Sequence, residues 1–290
     1  MKTILTLFTV LTSLAAWAQP AAKNYYTMSI PEIDQDIRSA AREIRAIDQR
    51  MVYYSERFLG APYVLVCEAE GENGRYETQP LMNLQQLNCM TYCEIVMALA
   101  LSEFYEEAFN VLQHIRYRQG LISMATRNHY TMVDWLPANG WCLEEVTEQI
   151  GGRDVVASSR TISHRKFFNA KGINDLPLVF PDRTVTRQYI PLDKLGLHEQ
   201  DCRAGDIVAL IQNLPDIFSA HMLLIVKKDG KTFFRHASLS AGKVLDQPFQ
   251  EYIDAVGKKP RYQGMSFMRM RSTIQWQDGV YTHGKIVLPQ

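Results

Sequence analysis

Two cysteines stand four residues apart at the front of an apolar run, "LQQLNCMTYCEIVMALAL", residues 84–101. Asn88 is a side-chain type that caps helix starts, so Cys89 falls in the first turn of the helix that the run predicts. Unpaired backbone N–H groups and the helix dipole favour an anion there. A thiol so placed ionises more easily and becomes a usable nucleophile beside a histidine. Cys93, one turn deeper in the apolar segment, has neither advantage and reads as a small buried hydrophobe.

The segment "AHMLLIVKKDGKTFFRHAS", residues 220–238, supplies two histidines. It reads as a β-hairpin turning at Asp229-Gly230. With a two-residue loop, His221 faces Ser238 and His236 faces Leu223, so the imidazoles share a face as diagonal neighbours, roughly 7–8 Å apart along the backbone. A three-residue loop would set them on opposite faces. Cys89, His221 and His236 would together supply nucleophile, base and orienting group for acyl transfer through a thioester. The Cys89 N–H would be one donor for the oxyanion. Two blander readings compete: Cys89 as a buried or paired thiol, and a zinc site of Cys89, Cys93, His221 and His236. The zinc set is the weaker, because Cys-x-x-x-Cys within a helix is an uncommon ligand spacing and no H-E-x-x-H is present.

The elements that must position these residues follow from periodicity. Residues 29–59 carry a helical stripe through Ile33, Ile37, Ala40, Ile44, Ile47, Met51 and Tyr54, opened by a Ser29/Glu32 capping box. A turn-rich piece follows, with a short strand expected before the "GENG" loop at 71–74. Residues 89–117 read as helix, and "CLEEVTEQIGG" at 142–152 has helical spacing before a Gly-Gly stop. Residues 153–200 read as loop and short elements. The last third is β-rich, with strands expected at 205–212, 220–228 and 231–238 and shorter ones at "GKVL" and "MSFMRMR". Helices first and an antiparallel sheet afterwards make the fold class α+β.

The chain has 290 residues, 47% of them hydrophobic, which suits one domain. Lys and Arg number 31 and so do Asp and Glu, so no overall field draws the protein to nucleic acid or to an anionic membrane surface. Residues 1–18 open with Lys2, run apolar and end on Ala16-Trp17-Ala18, the pattern of a cleaved secretory signal. The remainder, 19–290, is expected to be a single domain with an N-terminal helical segment. No cysteine follows the cleavage site to accept a lipid, and no later stretch approaches the ~20 apolar residues of a transmembrane span. An exported, periplasmic or extracellular protein tolerates disulfides, yet five cysteines are an odd number; Cys67, Cys142 and Cys202 are the ones free to pair.

The succession "FLGAPYV", "LNCMTYCEIVMALAL", "TRNHYTMVDW", "AGDIVALI", "AHMLLIVKKDGKTFFRHAS" and "LDQPFQEYI" resembles the N-acetylmuramoyl-L-alanine amidase-like family. This is a branch of the NlpC-like cell-wall hydrolases, and the likeness runs from Tyr54 to Arg271. The resemblance implies a papain-like core, a buried helix carrying the nucleophile on an antiparallel sheet, and no metal or cofactor. It maps the nucleophile to Cys89, the base to His221 and the orienting group to His236. Tyr63 of the Gly-x-Pro-Tyr motif falls near the oxyanion site, and Arg127, His129 and Trp135 near the substrate cleft. Arg127 suits a peptide carboxylate and Trp135 a sugar face or peptide wall; by residue type the three equally read as an ion pair and core aromatics. The sequence departs from the family pattern at Asn88, where Asp is usual, and at Met222 and Leu223, where Val and Gly are usual, which bears on the shape of the cleft. The implied activity is hydrolysis of the amide between N-acetylmuramic acid and L-alanine in peptidoglycan or muropeptides. A stem-peptide endopeptidase cutting after D-glutamate and a non-catalytic peptidoglycan binder are the alternatives. The sequence carries no signal for oligomeric state.

Overall fold

Ser29 opens the first helix as its spacing predicts. The Glu32 carboxylate accepts from the Ser29 backbone N–H and hydroxyl, both at 2.9 Å, and α1 runs Ile30–Glu43. The stripe expected to continue is broken at 44–46 and restarts as α2, Ile47–Glu56. Arg50 accounts for the break: its guanidinium donates to the Ala41 and Ile44 carbonyls, each at 2.8 Å, satisfying acceptors that a helix end leaves open. The computed structural model describes residues 23–177 and 179–276; the expected signal segment, 1–18, lies outside them.

The apolar run forms α3, Cys89–Leu101, with eleven of its thirteen residues buried. The single helix expected over 89–117 is two, because the chain leaves α3 at Ser102 and begins α4, Tyr105–Arg116. Asp34 of α1 takes the Tyr105 N–H at 2.8 Å and Glu107 takes that of Glu103 at 2.6 Å. Carboxylates thus satisfy the donors at the new helix start. The strand expected before the "GENG" loop is absent; Pro62 and Tyr63 form only isolated bridges.

Leu143–Glu145 is a strand, β1, where helical spacing had pointed to helix, and only Thr147–Gly151 is helical. Residues 153–200 hold more sheet than expected. Strands β2, Val156–Ile162, and β3, Arg183–Pro191, pair in register across an intervening helix, His164–Ala170. Both are rich in Ser, Thr and Arg and half-exposed, so apolar alternation was not there to reveal them. The expected strands of the last third all form: β4 Ile207–Gln212, β5 Ser219–Lys228, β6 Lys231–Ser238, β7 Lys243–Pro248 and β8 Tyr262–Met270.

The sheet is antiparallel in the order β2-β3-β8-β4-β5-β6-β7, with β1 also on β8. β4 is buried at every residue because neighbours flank it and both faces are covered. On one face Ala209, Ile211, Met222 and Leu224 pack with Cys93, Ile95 and Met97 of α3. On the other, Val208, Leu210, Leu223, Ile225 and Phe234 pack with Phe249, Tyr252 and Ile253 of the helix Phe249–Gly257. Each fully buried Leu, Ile or Val contributes about 1.5–3 kcal/mol. Among the described residues no helix is long and apolar enough to cross a membrane.

Candidate active site

Cys89 begins α3 and its surroundings are built from the residue before it. The Asn88 side-chain oxygen accepts from the Met90 and Thr91 N–H groups, both at 2.9 Å, and the Thr91 hydroxyl accepts the Asn88 N–H at 2.9 Å. The Asn88 amide nitrogen donates to the Leu65 carbonyl at 2.9 Å, a bond that the usual Asp could not make. Cys89 is half-buried. Burial raises its pKa, and the backbone N–H groups of Met222, Met90 and Cys89 itself act in the opposite sense without overcoming it. Backbone N–H groups at a helix start favour negative charge once it develops there.

The hairpin has the two-residue loop that puts the histidines on one face. Leu224 faces Arg235 and Lys228 faces Lys231, with Asp229 and Gly230 at φ +49° and +74°. Two consecutive left-handed residues match the right-handed strand twist, and Asp-Gly is among the pairs that adopt them most readily. Across this hairpin His221 Nε2 lies 2.7 Å from His236 Nδ1, with the rings edge to face at 87°. Burial, then the charge of the other ring, holds His221 down to about 3. Burial likewise holds His236 down to about 4. At neutral pH both rings are therefore neutral and share one proton along their contact.

Tyr63 is brought to this cluster by its own segment. Gly60, at φ +86°, donates to the Val244 carbonyl at 2.9 Å, and Tyr63 donates to Gly242 at 2.9 Å. On the other side the Leu87 N–H donates to the Pro62 carbonyl at 3.0 Å. The Gly-x-Pro-Tyr motif is thus stitched between β7 and the residues that lead into Cys89. Burial raises the Tyr63 phenol, and the Cys89 and Cys67 thiols beside it add to the rise. Tyr252 packs edge-on against His236 at 5.4 Å, and the Cys89 thiol also bears on its phenol.

The remaining expected substrate contacts lie elsewhere. Arg127 is ion-paired with Glu77 at 2.9 Å. His129 is wedged against Phe167 and Phe168 with Nε2 on the Met124 carbonyl at 2.8 Å, and burial holds it down to about 4. Trp135 is 0% exposed, so it has no face to offer a sugar. Arg127 and His129 are held in these contacts and Trp135 in the core, and among the described residues none of the three closes a hydrogen bond or ion pair with Cys89, His221 or His236. Guanidinium groups do line an open cavity of about 620 Å³, where Arg118 and Arg183 lie 4.0 and 4.7 Å from the Phe180 ring centre.

All five cysteines are free thiols, including Cys67, Cys142 and Cys202. Cys93 is 0% exposed in the core, as its apolar neighbours predict. Met222 and Leu223, larger than the family pattern, are 1% and 0% exposed and point into opposite core layers, so their bulk does not enter a cleft. Sequence reading did not find Tyr252 or the Met222 N–H, since neither a helix aromatic nor a backbone amide has a spacing signature.

The profile of the AmiA-like, N-acetylmuramoyl-L-alanine amidase-like family matches residues 53–259. The chain belongs to this family. Among solved structures, an N-acetylmuramoyl-L-alanine amidase from Bacteroides uniformis ATCC 8492 is 25% identical, with a TM-score of 0.63 over 78% of this chain and 99% of the other. A Legionella pneumophila protein of the family DUF1460 shares the fold at 23% identity, with a TM-score of 0.74 over 83% of this chain and 95% of the other. No curated protein sequence matches the chain. The matched segment spans Tyr63, Cys89, His221 and His236.

Proposed function

We propose that this protein is an exported cysteine amidase with a papain-like core that hydrolyses the bond between N-acetylmuramic acid and L-alanine in peptidoglycan or muropeptides. Family membership supports the substrate class. The observation that carries the mechanism is the 2.7 Å His221–His236 contact, with Cys89 at a helix start and the backbone of Met222, next to His221, acting on its thiol.

Burial keeps both thiol and imidazole neutral at rest, so the proton moves as the nucleophile attacks. Cys89 Sγ adds to the lactyl carbonyl carbon while its proton passes to His221. The oxyanion is met by N–H groups at the start of α3, with the Tyr63 hydroxyl beside it. His221 then gives the proton to the alanine nitrogen, the C–N bond breaks, and the peptide leaves with a free amine. Water attacks the thioester, His221 takes its proton, and the proton returns to sulfur as the muramic carboxylate departs. His236 holds the His221 ring throughout.

The test is mass spectrometry of a muramoyl tetrapeptide incubated with the protein, with Cys89→Ala in parallel. An intact peptide beginning with L-alanine, absent with the variant, is the expected result. A muramoyl dipeptide would move the cut to the stem, and an untouched substrate in both tubes would refute the amidase reading.

A further inference from the structure

The His221–His236 contact holds one proton, and its position decides whether His221 can act as a base. If His221 Nε2 carries it and donates to His236 Nδ1, then His221 Nδ1 is bare and able to take a thiol proton. Neutral His236 must then carry its own proton on Nε2. In the reverse arrangement His236 Nδ1 donates, His221 is protonated on Nδ1, and the base is blocked. The pair by itself does not select between these two, because the shared hydrogen bond is the same in both.

Selection must come from whatever meets His236 Nε2. That nitrogen is buried and closes no hydrogen bond of ordinary length and angle, although the Gln247 side chain lies near enough to act on the ring. A buried N–H in that state is costly, which would favour the blocked arrangement. The register of β6 on β7 puts His236 opposite Leu245 and Phe234 opposite Gln247. Gln247 is therefore on the same face as His236 and diagonal to it, within reach of a long side chain. Its amide comes up to the ring, while Tyr252 walls another side edge-on at 5.4 Å.

We propose that Gln247 is a positioning residue whose side-chain oxygen accepts the Nε2 proton of His236 and so leaves His221 Nδ1 free as the base. The inference rests on the Cys89–His221 reading above and adds to it the residue that sets the proton's place. A glutamine suits the task because its oxygen selects the active tautomer without a charge that would draw a second proton onto His236.

The direct measurement is ¹⁵N NMR of the imidazoles in histidine-labelled Cys89→Ala protein at pH 7, with and without Gln247→Met. The expected spectrum has the His236 proton on Nε2, and Gln247→Met shifts it toward Nδ1. A proton on Nδ1 in the parent, or a tautomer that Gln247→Met does not move, overturns the inference. In the Cys89-containing enzyme, Gln247→Met is expected to lower kcat roughly ten- to hundredfold with KM within about twofold, as supporting contacts to a catalytic histidine do. Gln247→Glu, whose charge draws a second proton onto His236 and so sets Nδ1–H against His221, is expected to lose at least as much kcat near neutral pH; full kcat in either variant would also overturn the inference. If the tautomer responds as expected but no amide is cleaved, it is the amidase reading that fails.

Discussion

Beneath α3, two carboxylates share one guanidinium, and this arrangement makes a pH-dependent prediction. Arg116 binds Glu68 and, at 3.0 Å, Glu94 of α3, with every side chain at most 4% exposed. With both carboxylates ionised, the cluster would hold one excess negative charge in a dry interior. Burial therefore lifts Glu68 to about 7 from 4.5, and Glu94 adds to the rise against the opposing Arg116 and the Asn83 N–H. Between those two values the folded protein holds a proton that the unfolded chain has lost. Stability from this group is thus full below pH 4.5 and is lost as pH rises through 7. At about 1.4 kcal/mol per pKa unit, the change from pH 5 to pH 8 comes to about 2.5 kcal/mol. Glu68→Gln keeps the neutral state at every pH and still offers Asn83 an acceptor. Urea unfolding of both proteins at pH 5, 6, 7 and 8 should show the variant gaining that amount relative to the parent across the range. A stability difference that stays constant with pH would refute the reasoning.

Asn88→Ala removes two cap bonds and the Leu65 link and should cost about 1–2 kcal/mol in chemical denaturation; Asn88→Asp should keep the cap and lose less. Gly60→Ala forces a side chain into φ +86° with its Cβ 2.9 Å from the Tyr26 hydroxyl. It should cost at least about 1 kcal/mol, a fall of several degrees in Tm by calorimetry, and slow hydrolysis by displacing Tyr63. For kcat/KM against pH, activity needs a neutral His221, whose pKa is about 3, so the acid limb should lie below pH 5. A limb near 6.5, the ordinary value for a solvated imidazole, would mean that His221 is not buried as described.

Local signals carried much of this protein. Asn88 before an apolar run gave the start of α3, and Asp229-Gly230 gave the hairpin and its register, because both depend on backbone conformations that only a few residue types adopt. Once register is fixed, period-two alternation places His221 and His236 on one face. Family motifs then added Tyr63, which chain spacing alone would not have distinguished from any other tyrosine. The strands β4 to β8 were legible because a sheet buried on both faces is written as short apolar runs.

Tertiary structure decided what those signals could not reach. The breaks at 44–46 and 102–104 depend on Arg50 and Asp34, side chains whose partners are set by how helices pack, not by helical period. Strands β2 and β3 are half-exposed and polar, so only their pairing identifies them. Arg127, His129 and Trp135 had the right chemistry for a substrate, but an ion pair and burial take them up. Burial is a property of the whole fold, and it also sets the pKa values of Cys89, His221 and Glu68. The sequence by itself named the candidate reactive groups and the local turns that hold them; their distances, protonation and company required the packed sheet and helices.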